Sequence, residues 1–405
     1  MFSYLKNLRR LLHLDTTPLE AKKSATGGIL AMYHHGQPVW TPRDYASLAR
    51  EGYAKNAIAY RCVRMIAEAA ASVPWRLYDD GRELETHPLL GLLSAPNPNQ
   101  GGAEFMEDWY GYLQISGNSY LEAVSVAGEV KELYALRPDR MKVVPGPNGW
   151  PQAYEYTVGD RTVRFGNDGD DTASAILHMA LFHPTNDYYG MSPLEVAAIA
   201  IDIHNAAGSW NKSLLDNSAR PSGALVFKGT GGANNLTEDQ FERLKSELEN
   251  TYQGAANAGR PLLLEGGLDW KSMGLSPKDM DFIEAKHVAA REIALAFGVP
   301  PMLLGIPGDN TFANYQEANK TFWRQTVIPL VGKTAKSLTR WLRPHFGPEI
   351  RLWYDLEQVD ALYVERAALW NRVGAANFLT INEKRASVGY DPVKGGDKPP
   401  ASSSI

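Results

Sequence analysis

Cysteine is nearly absent from this chain, which carries Cys62 alone among 405 residues. A single thiol excludes an intramolecular disulfide, and no apolar run approaches the roughly 20 residues that a bilayer-spanning helix needs. These two absences predict a soluble protein of a reducing compartment. Cys62 itself lies within an apolar pattern of helical spacing, so we expect it to be a core residue.

A secretory signal pattern is also missing. Residues 5–14 read LKNLRRLLHL, which is basic and apolar but has neither a continuous hydrophobic stretch nor a small-residue cleavage site. This composition favours a surface helix or a partner-docking helix over a membrane anchor.

Excess positive charge is lacking as well. The formal net charge is -5 and the pI is near 6.0, whereas tight binding through phosphates usually requires a strongly basic domain. This argues against a tight nucleic-acid binder. It leaves open a passage for DNA, because a conduit needs contacts that are weak enough for the polymer to move.

What is present is a clear series of helix and strand signals. The length and the 44% hydrophobic content allow two to four domains. Helical spacing over residues 56–72 and 104–115, with hairpins over 120–136 and 154–165, predicts that the first 190 or so residues form an α+β domain.

Two helix starts share one pattern, Ser-Pro-x-acid, at residues 192–195 and 276–279. Each supplies a capping hydroxyl, a proline for the first helical position and a carboxylate in the first turn. They predict long helices over about 193–219 and 277–297. Between them, residues 220–275 read as a small β-α-β-β insert, with a strand expected over 223–228, a helix over 238–252 and a pair of strands around 265–267.

Proline marks the next long helix, which we expect over about 313–342. Pro329 removes a backbone hydrogen bond and collides with the carbonyl of Gln325, so a kink is predicted within one turn before it. This helix is the most basic element of the chain. A strand over 349–353, a capping box at Thr380 and a disordered tail from Gly395 complete the pattern.

Three fragments resemble catalytic or metal motifs, and each fails its context. Gly332-Lys333-Thr334 follows Val327 where a phosphate-binding loop needs glycine, and it falls inside a helical pattern. Ser192 is followed by proline, so we expect a helix cap rather than a nucleophile. His178 and His183 are five residues apart, on opposite faces of a strand. We therefore predict no enzyme activity, no metal and no cofactor.

Five short strings occur in an order that resembles the portal proteins of HK97-like tailed phages. They are YGMSPLE (189–195), NSARPSG (217–223), LLLEGGL (262–268), SPKD (276–279) and FGVPP (297–301). The resemblance covers residues 43–396. One departure is Ala313, which stands before Asn314 where the family commonly has a small hydroxyl residue, so Thr311 is expected to cap that helix instead.

The resemblance implies an α+β portal-type fold with six parts. They are the N-terminal part of an α/β wing (1–192), a first stem helix (193–219), a small α/β clip (220–276), a second stem helix (277–298), a tunnel loop with a kinked helix and the remaining wing (299–358), and a short helical crown with a disordered tail (359–405).

The resemblance also implies sites. The tunnel loop that would touch DNA contains Gly305, Ile306, Pro307, Gly308, Asp309, Asn310, Thr311 and Asn314. The stem residues that would line the channel are Lys278, Asp279, Asp281 and Lys286. The clip residues that would face terminase or an adaptor are Lys228, Arg260 and Lys271.

The function so implied is a ring-shaped portal, expected to be a dodecamer, at one capsid vertex. Its expected partners are other copies of itself, double-stranded DNA in transit, the large terminase, the major capsid protein, and head-completion and tail proteins. The ring would assemble in the bacterial cytoplasm and reside in a virion or a virus-like particle. Gene transfer agents use similar portals, and so short a chain would fit one. The alternative is a capsid or baseplate adaptor without a channel, and an ATPase ranks third.

Overall fold

The chain divides into two units, one containing residues 40–213 and 275–405 and the other containing residues 1–39 and 214–274. The computed structural model describes residues 40–166, 174–216, 223–227, 237, 239, 241–246, 268–272, 282–308, 311–388, 390 and 392–398. The expected N-terminal helix lies outside the described residues.

The larger unit combines helices with antiparallel sheets. Its helices are α1 (Ala57–Ala71), α2 (Pro88–Ser94), α3 (Gly102–Ser116), α4 (Pro193–Val196), α5 (Ala198–Asp216, residues 214–216 belonging to the smaller unit), α6 (Phe282–Phe297), α7 (Phe312–Phe322), α8 (Ile328–Phe346), α9 (Tyr363–Ala375) and α10 (Ile381–Ser387). A short helical segment, Tyr45–Ser47 followed by π-helical Leu48–Ala54, precedes α1.

Its strands are β1 (Trp75–Asp79), β2 (Arg82–Leu84), β3 (Asn118–Val126), β4 (Glu129–Leu136), β5 (Met141–Pro145), β6 (Pro151–Val158), β7 (Arg161–Gly166), β8 (Ile176–Ala180) and β11 (Ile350–Tyr354). They form sheets with the strand orders β11-β1-β2, β4-β3-β8 and β5-β6-β7. Leu77 of β1 lies opposite Leu352 of β11, and both are buried. The sequence before and after the smaller unit therefore builds one core.

Helix α1 has the cap and the apolar face that its sequence predicts. Its cap Asn56 accepts hydrogen bonds from the backbone N–H groups of Ile58 and Ala59, at 3.1 and 3.0 Å. Its inner face buries Cys62 and Ile66 against α3, as the helical spacing predicted.

The long helix for which a kink was predicted consists of two helices joined by a π-helical turn. Residues Trp323–Val327 form that turn between α7 and α8, directly before Pro329. The irregularity is where the sequence predicted it, because the proline has no N–H to offer to the carbonyl of Gln325.

The first long helix is less regular than expected. Its start at Ser192 is confirmed, since the Ser192 hydroxyl accepts from the Glu195 N–H at 2.9 Å, but the helix is interrupted at Ala197 between α4 and α5. No Gly or Pro marks this break. Leu194 is fully buried over Gly52, where an added Cβ would lie 2.9 Å from Leu194 Cδ1. We attribute the interruption to this tertiary packing.

The tail expectation also needs correction. The buried Asn382 donates from Nδ2 to the carbonyl oxygen of Val393 at 3.1 Å and to the carboxylate of Asp397 at 2.8 Å, and its backbone N–H donates to Gly396. Residues 395–398 are therefore ordered, because a single amide in α10 holds them. Residues 399–405 lie outside the described part.

In the smaller unit, strands β9 (Gly223–Phe227) and β10 (Leu268–Ser272) pair antiparallel, and residues 241–246 are helical. The strand over 223–228 was predicted. Strand β10 directly follows residues 265–267, around which a pair of strands was expected; residues 247–267, which would contain the first strand of that pair, lie outside the described residues.

Among the described residues, no helix is both long enough and apolar enough to cross a bilayer.

Candidate functional site

The candidate site is the segment between α6 and α7, which contains the predicted tunnel loop. Helix α6 ends at Phe297, and Gly298 follows with φ +66°, a left-handed conformation that favours glycine. The Val299 N–H donates to the carbonyl of Ala294 at 2.9 Å, which closes the last turn. The predicted end of the second long helix is confirmed.

The segment then returns along α6. A 3₁₀ turn over Pro301–Leu304 ends at Gly305, whose φ is +71°. The next side chain, Ile306, is only 5% exposed and packs against Ala290 and Ala294 of α6. Ile306 was grouped with the DNA-contacting loop, but its side chain is directed into the protein.

Arg291 of α6 holds the same segment through a polar contact. Its Nη2 donates to the carbonyl oxygen of Pro307 at 2.7 Å, and its Nη1 lies 3.9 Å from the carboxylate of Glu284. Sequence reasoning missed Arg291. The spacing of seven residues places Glu284 and Arg291 on one helix face, but nothing local shows that the guanidinium reaches a loop carbonyl.

The far end of the segment is a helix cap. The Thr311 hydroxyl accepts from the Asn314 N–H at 3.2 Å, so Thr311 is the N-cap of α7, as expected from the departure at Ala313. Pro307, Gly308, Thr311 and Asn314 are exposed. Asp309 and Asn310 lie outside the described residues.

Of the predicted stem residues, Lys286 is described and the other three, Lys278, Asp279 and Asp281, lie outside the described part. Lys286 is partly buried on α6 near His204 of α5. The pKa of His204 is lowered, first by burial and then by the charge of Lys286. The two long helices are thus close enough for their charged groups to interact.

Helix α5 is fixed to the rest of its unit by polar bonds. Asn56 Nδ2 donates to Asn205 Oδ1 at 3.0 Å, and Asn205 Nδ2 donates to the carbonyl of Glu51 at 2.9 Å. The backbone N–H and hydroxyl of Thr41 both donate to the carboxylate of Asp202. One face of α5 is therefore committed to intramolecular contacts.

Another face of α5 presents apolar side chains to solvent. Ile199, Ile203 and Trp210 are 51%, 39% and 41% exposed, and Ala206 is exposed between them. Their spacing of four, three and four residues places them in one stripe. On α6, Val288 and Leu295 are seven residues apart and 44% and 79% exposed. Stripes of this kind are typical of helices that pack against a partner.

In the smaller unit, Lys271 is exposed on β10, opposite Ala224 of β9. The other two predicted clip residues, Lys228 and Arg260, lie outside the described residues.

The fragments that resembled catalytic motifs have structural partners. Lys333 lies inside α8, where its Nζ donates to the carbonyl of Ala180 at 2.9 Å, and burial lowers its pKa. Its neighbour Thr334 accepts from the indole N–H of Trp109 at 3.2 Å. These residues join α8 to the core, in a helix rather than at the strand-to-helix loop that a nucleotide site requires.

The two histidines considered as metal ligands do not converge. His178 stacks on Tyr120 with ring centroids 4.3 Å apart and bonds Asn118 Oδ1 at 3.1 Å. His183 accepts from the backbone N–H of Thr185 at 3.2 Å. Across the described residues, no group of three His, Cys, Asp or Glu side chains is arranged to hold a metal ion.

Comparison with known proteins identifies relatives over most of the chain. An uncharacterized protein of Rickettsia bellii is 45% identical over 351 residues, which is 86% of this chain and 90% of that protein. The portal protein of Enterobacteria phage HK97 is 26% identical over 370 residues, covering 87% of this chain and 82% of the phage protein.

Solved structures give a closer match. A chain from the neck of an empty gene transfer agent particle, computed with C6 symmetry, is 55% identical with a TM-score of 0.71. A chain from the neck of a native particle, computed with C12 symmetry, is 53% identical with a TM-score of 0.68. Each match covers 91% of this chain and all of the solved chain.

The mixed helix-and-sheet fold matches these portal-type structures. The model of the phage portal protein family matches residues 57–389, which include the caps, the π-helical turn and the segment seated on α6. The chain therefore belongs to the phage portal protein family, the head–tail connectors of tailed phages and related particles.

Proposed function

We propose that twelve copies of this chain form a ring at one capsid vertex, and that double-stranded DNA passes through the ring during packaging and ejection. The observation that carries the proposal is the 55% identity, over 91% of the chain, with a subunit of a gene transfer agent neck. A related neck was computed with C12 symmetry. The proposal assigns a mechanical role to the chain and no chemical step.

The exposed stripe of α5 supports ring formation. Within the described part of the chain, Ile199 and Ile203 are 51% and 39% exposed, and they lie four residues apart on one helix face. Burying such surface contributes roughly 25 cal/mol per Å². In a ring with head-to-tail contacts, each subunit uses one surface for one neighbour and a different surface for the other. The stripe would form one of these surfaces.

The proposed division of the chain follows the parts given above, with wing, stem, clip, tunnel loop and crown at the same boundaries. In that division α5 and α6 are the stem helices. The exposed Gly308, Thr311 and Asn314 are the described residues of the tunnel loop best placed to touch DNA.

The charge balance fits a conduit. With a net charge of -5, the chain does not offer the concentrated positive charge that holds DNA through many phosphates. Isolated cations such as Lys286 would make weak contacts that ionic strength screens further. DNA in such a channel is guided without being held.

The proposed partners follow from the position at the vertex. The ring would sit among major capsid protein subunits, bind the large terminase during packaging, and later bind head-completion and tail proteins. The clip, with Lys271 exposed on β10, is the proposed contact for terminase and adaptor. Assembly would occur in the bacterial cytoplasm, before the ring becomes part of a virion or virus-like particle.

The test is electron microscopy of the purified protein. Rings with a central opening and twelvefold rotational symmetry are expected. Particles without an opening, or monomers under all conditions, would overturn the portal function; solid particles would support the adaptor alternative.

A second measurement tests the tunnel loop. Deleting residues 308–310 should reduce the number of DNA-filled particles, by failed packaging or by loss of packaged DNA. An adaptor without a channel predicts no such loss.

A further inference from the structure

We propose that Arg291 is a positioning residue that seats the start of the tunnel loop, residues 305–308, on α6. The inference rests on the proposed function for its consequence, since it concerns a loop that would touch DNA. The seating itself is a property of the folded subunit and is tested separately.

Two contacts fasten the segment to one face of α6. The Ile306 side chain packs against Ala290 and Ala294, whose small side chains leave room for it. Beside that apolar contact, Arg291 Nη2 donates to the carbonyl oxygen of Pro307 at 2.7 Å. Positions 290, 291 and 294 are neighbours on the helix surface. They contact two consecutive loop residues, Ile306 through the apolar contact and Pro307 through the hydrogen bond.

The hydrogen bond from Arg291 to the Pro307 carbonyl is of a kind that can hold the loop in one position. A guanidinium donor is always charged, and a charged donor makes a shorter and stronger bond than a neutral one. Pro307 offers a carbonyl oxygen as the acceptor, and its ring fixes φ, which removes one of the backbone rotations of the loop at this residue. The carboxylate of Glu284 lies 3.9 Å from the other guanidinium nitrogen, and because both side chains are exposed this ion pair adds only a weak attraction.

Helix α6 sets the position of the start of the loop. Because residues 305–307 are attached to α6, the direction in which the chain leaves Gly308 is set from the stem helix. Residues 305–307 would then follow any displacement of α6, so the start of the loop would keep its position relative to the channel wall that α6 is proposed to form.

Hydrogen exchange on the purified full-length protein, in whatever oligomeric state it has, tests the seating. The Ile306 N–H donates to the carbonyl of Pro301 at 3.3 Å, so its exchange reports on the opening of the turn that carries Ile306 against α6. In Arg291→Gln we expect about tenfold faster exchange at Ile306, as for the loss of one charge-assisted bond. Glu292→Gln, a charge change at the neighbouring position, should leave that rate unchanged. Equal rates in wild type and Arg291→Gln would overturn the proposal.

Two readouts separate positioning from general stability. The thermal midpoint of Arg291→Gln should match that of wild type, since Arg291 is partly exposed and outside the core. The fraction of particles that retain DNA should fall, and Arg291→Lys, which keeps a charged donor, should restore most of it. A lowered midpoint with no rescue by lysine would indicate a merely structural role and overturn the proposal.

The two experiments distinguish failure of the proposed portal function from failure of the proposed role of Arg291. If deletion of residues 308–310 leaves DNA-filled particles unaffected while Arg291→Gln still speeds exchange, the loop is seated as proposed but does not handle DNA. If the deletion abolishes packaging while Arg291→Gln changes no exchange rate, the portal function stands and the role of Arg291 is overturned.

Discussion

The Thr326 hydroxyl donates a hydrogen bond of 2.6 Å to the carbonyl oxygen of Gly298. Gly298 ends α6, and Thr326 lies in the π-helical turn between α7 and α8. The bond therefore ties the end of the second long helix to the irregular turn that Pro329 imposes. The segment between these two residues contains the proposed tunnel loop. The hydrogen bond therefore holds the two ends of that segment close together.

Replacing Gly298 should destabilise this junction. Its φ of +66° costs any L-residue about 1–2 kcal/mol, and an alanine Cβ would lie 2.9 Å from Thr326 Oγ1. We expect Gly298→Ala to lower the free energy of unfolding by more than about 1 kcal/mol, measured by urea denaturation.

Gly305 provides the matched control for that prediction. Its φ is +71°, close to that of Gly298, but an added Cβ there meets no atom within 4 Å. Gly305→Ala should therefore show only the conformational cost and lose less stability. Adding Thr326→Ala to Gly298→Ala removes the close contact with Oγ1 but also the hydrogen bond to the Gly298 carbonyl, so it should recover only part of the difference. Equal losses in the two single variants would show that the Thr326 contact adds nothing.

Features set by neighbours in sequence were predictable. The caps at Ser192, Thr311 and Thr380, and the irregular turn before Pro329, each depend on a few adjacent residues and obey simple local rules. The pattern of hairpins and helices in the first 190 or so residues is of the same kind, since periodicity and turn residues determine it.

Features set by distant contacts were not predictable. The bond from Asn205 to Glu51 joins residues 154 positions apart, and the break at Ala197 accompanies the packing of Leu194 on Gly52. For the candidate site, the sequence located the loop, but it gave no sign that Ile306 is buried or that Arg291 reaches Pro307.

His178 should make stability depend on pH between about 6.5 and 4. Burial lowers its pKa to about 4, so the imidazole is neutral in the fold while an unfolded chain binds a proton near pH 6.5. Stability is therefore full above pH 6.5 and falls by up to about 3 kcal/mol as the pH drops to 4. Urea denaturation at pH 7.0, 5.5 and 4.5 should show this loss.

Replacing the ring tests that assignment. Nε2 of His178 bonds the Asn118 oxygen, which also accepts from the Gly190 N–H at 2.8 Å, so a neutral donor is needed at this position. His178→Gln keeps an amide donor and should flatten the pH profile between 6.5 and 4.5. An unchanged profile in His178→Gln would contradict the prediction.

Asp355 should make the stability of the fold depend on pH at more acidic values than His178 does. Burial opposes ionisation of this carboxyl group, but hydrogen bonds from Arg76 at 2.8 Å and from the Glu357 N–H outweigh it, and the pKa is lowered. Its stabilising contribution is thus present above the unfolded pKa of about 3.9 and is lost as the pH falls below it. Asp355→Asn should cost about 1–3 kcal/mol at pH 7 in urea denaturation, and the difference from wild type should shrink below pH 4.

Glu83 is the control for Asp355, because it contacts the same guanidinium. Its carboxylate lies 3.1 Å from Arg76 but its side chain is 42% exposed, against 7% for Asp355. A solvent-exposed ion pair contributes at most about 1 kcal/mol. Glu83→Gln should therefore leave the free energy of unfolding nearly unchanged. If it lowers that free energy as much as Asp355→Asn does, burial does not explain the difference between the two ion pairs.

The apolar stripe of α5 should be required for the ring and dispensable for the fold. In Ile203→Glu, a charge replaces a side chain that is 39% exposed in the single subunit, so the subunit should still fold. Burying that charge against a neighbour would cost several kcal/mol per interface, repeated around the ring. Light scattering after gel filtration should show monomers. Val163→Glu changes a residue of β7 that is 40% exposed and lies away from the stripe, and rings should persist. If both variants assemble alike, the stripe is not a subunit interface.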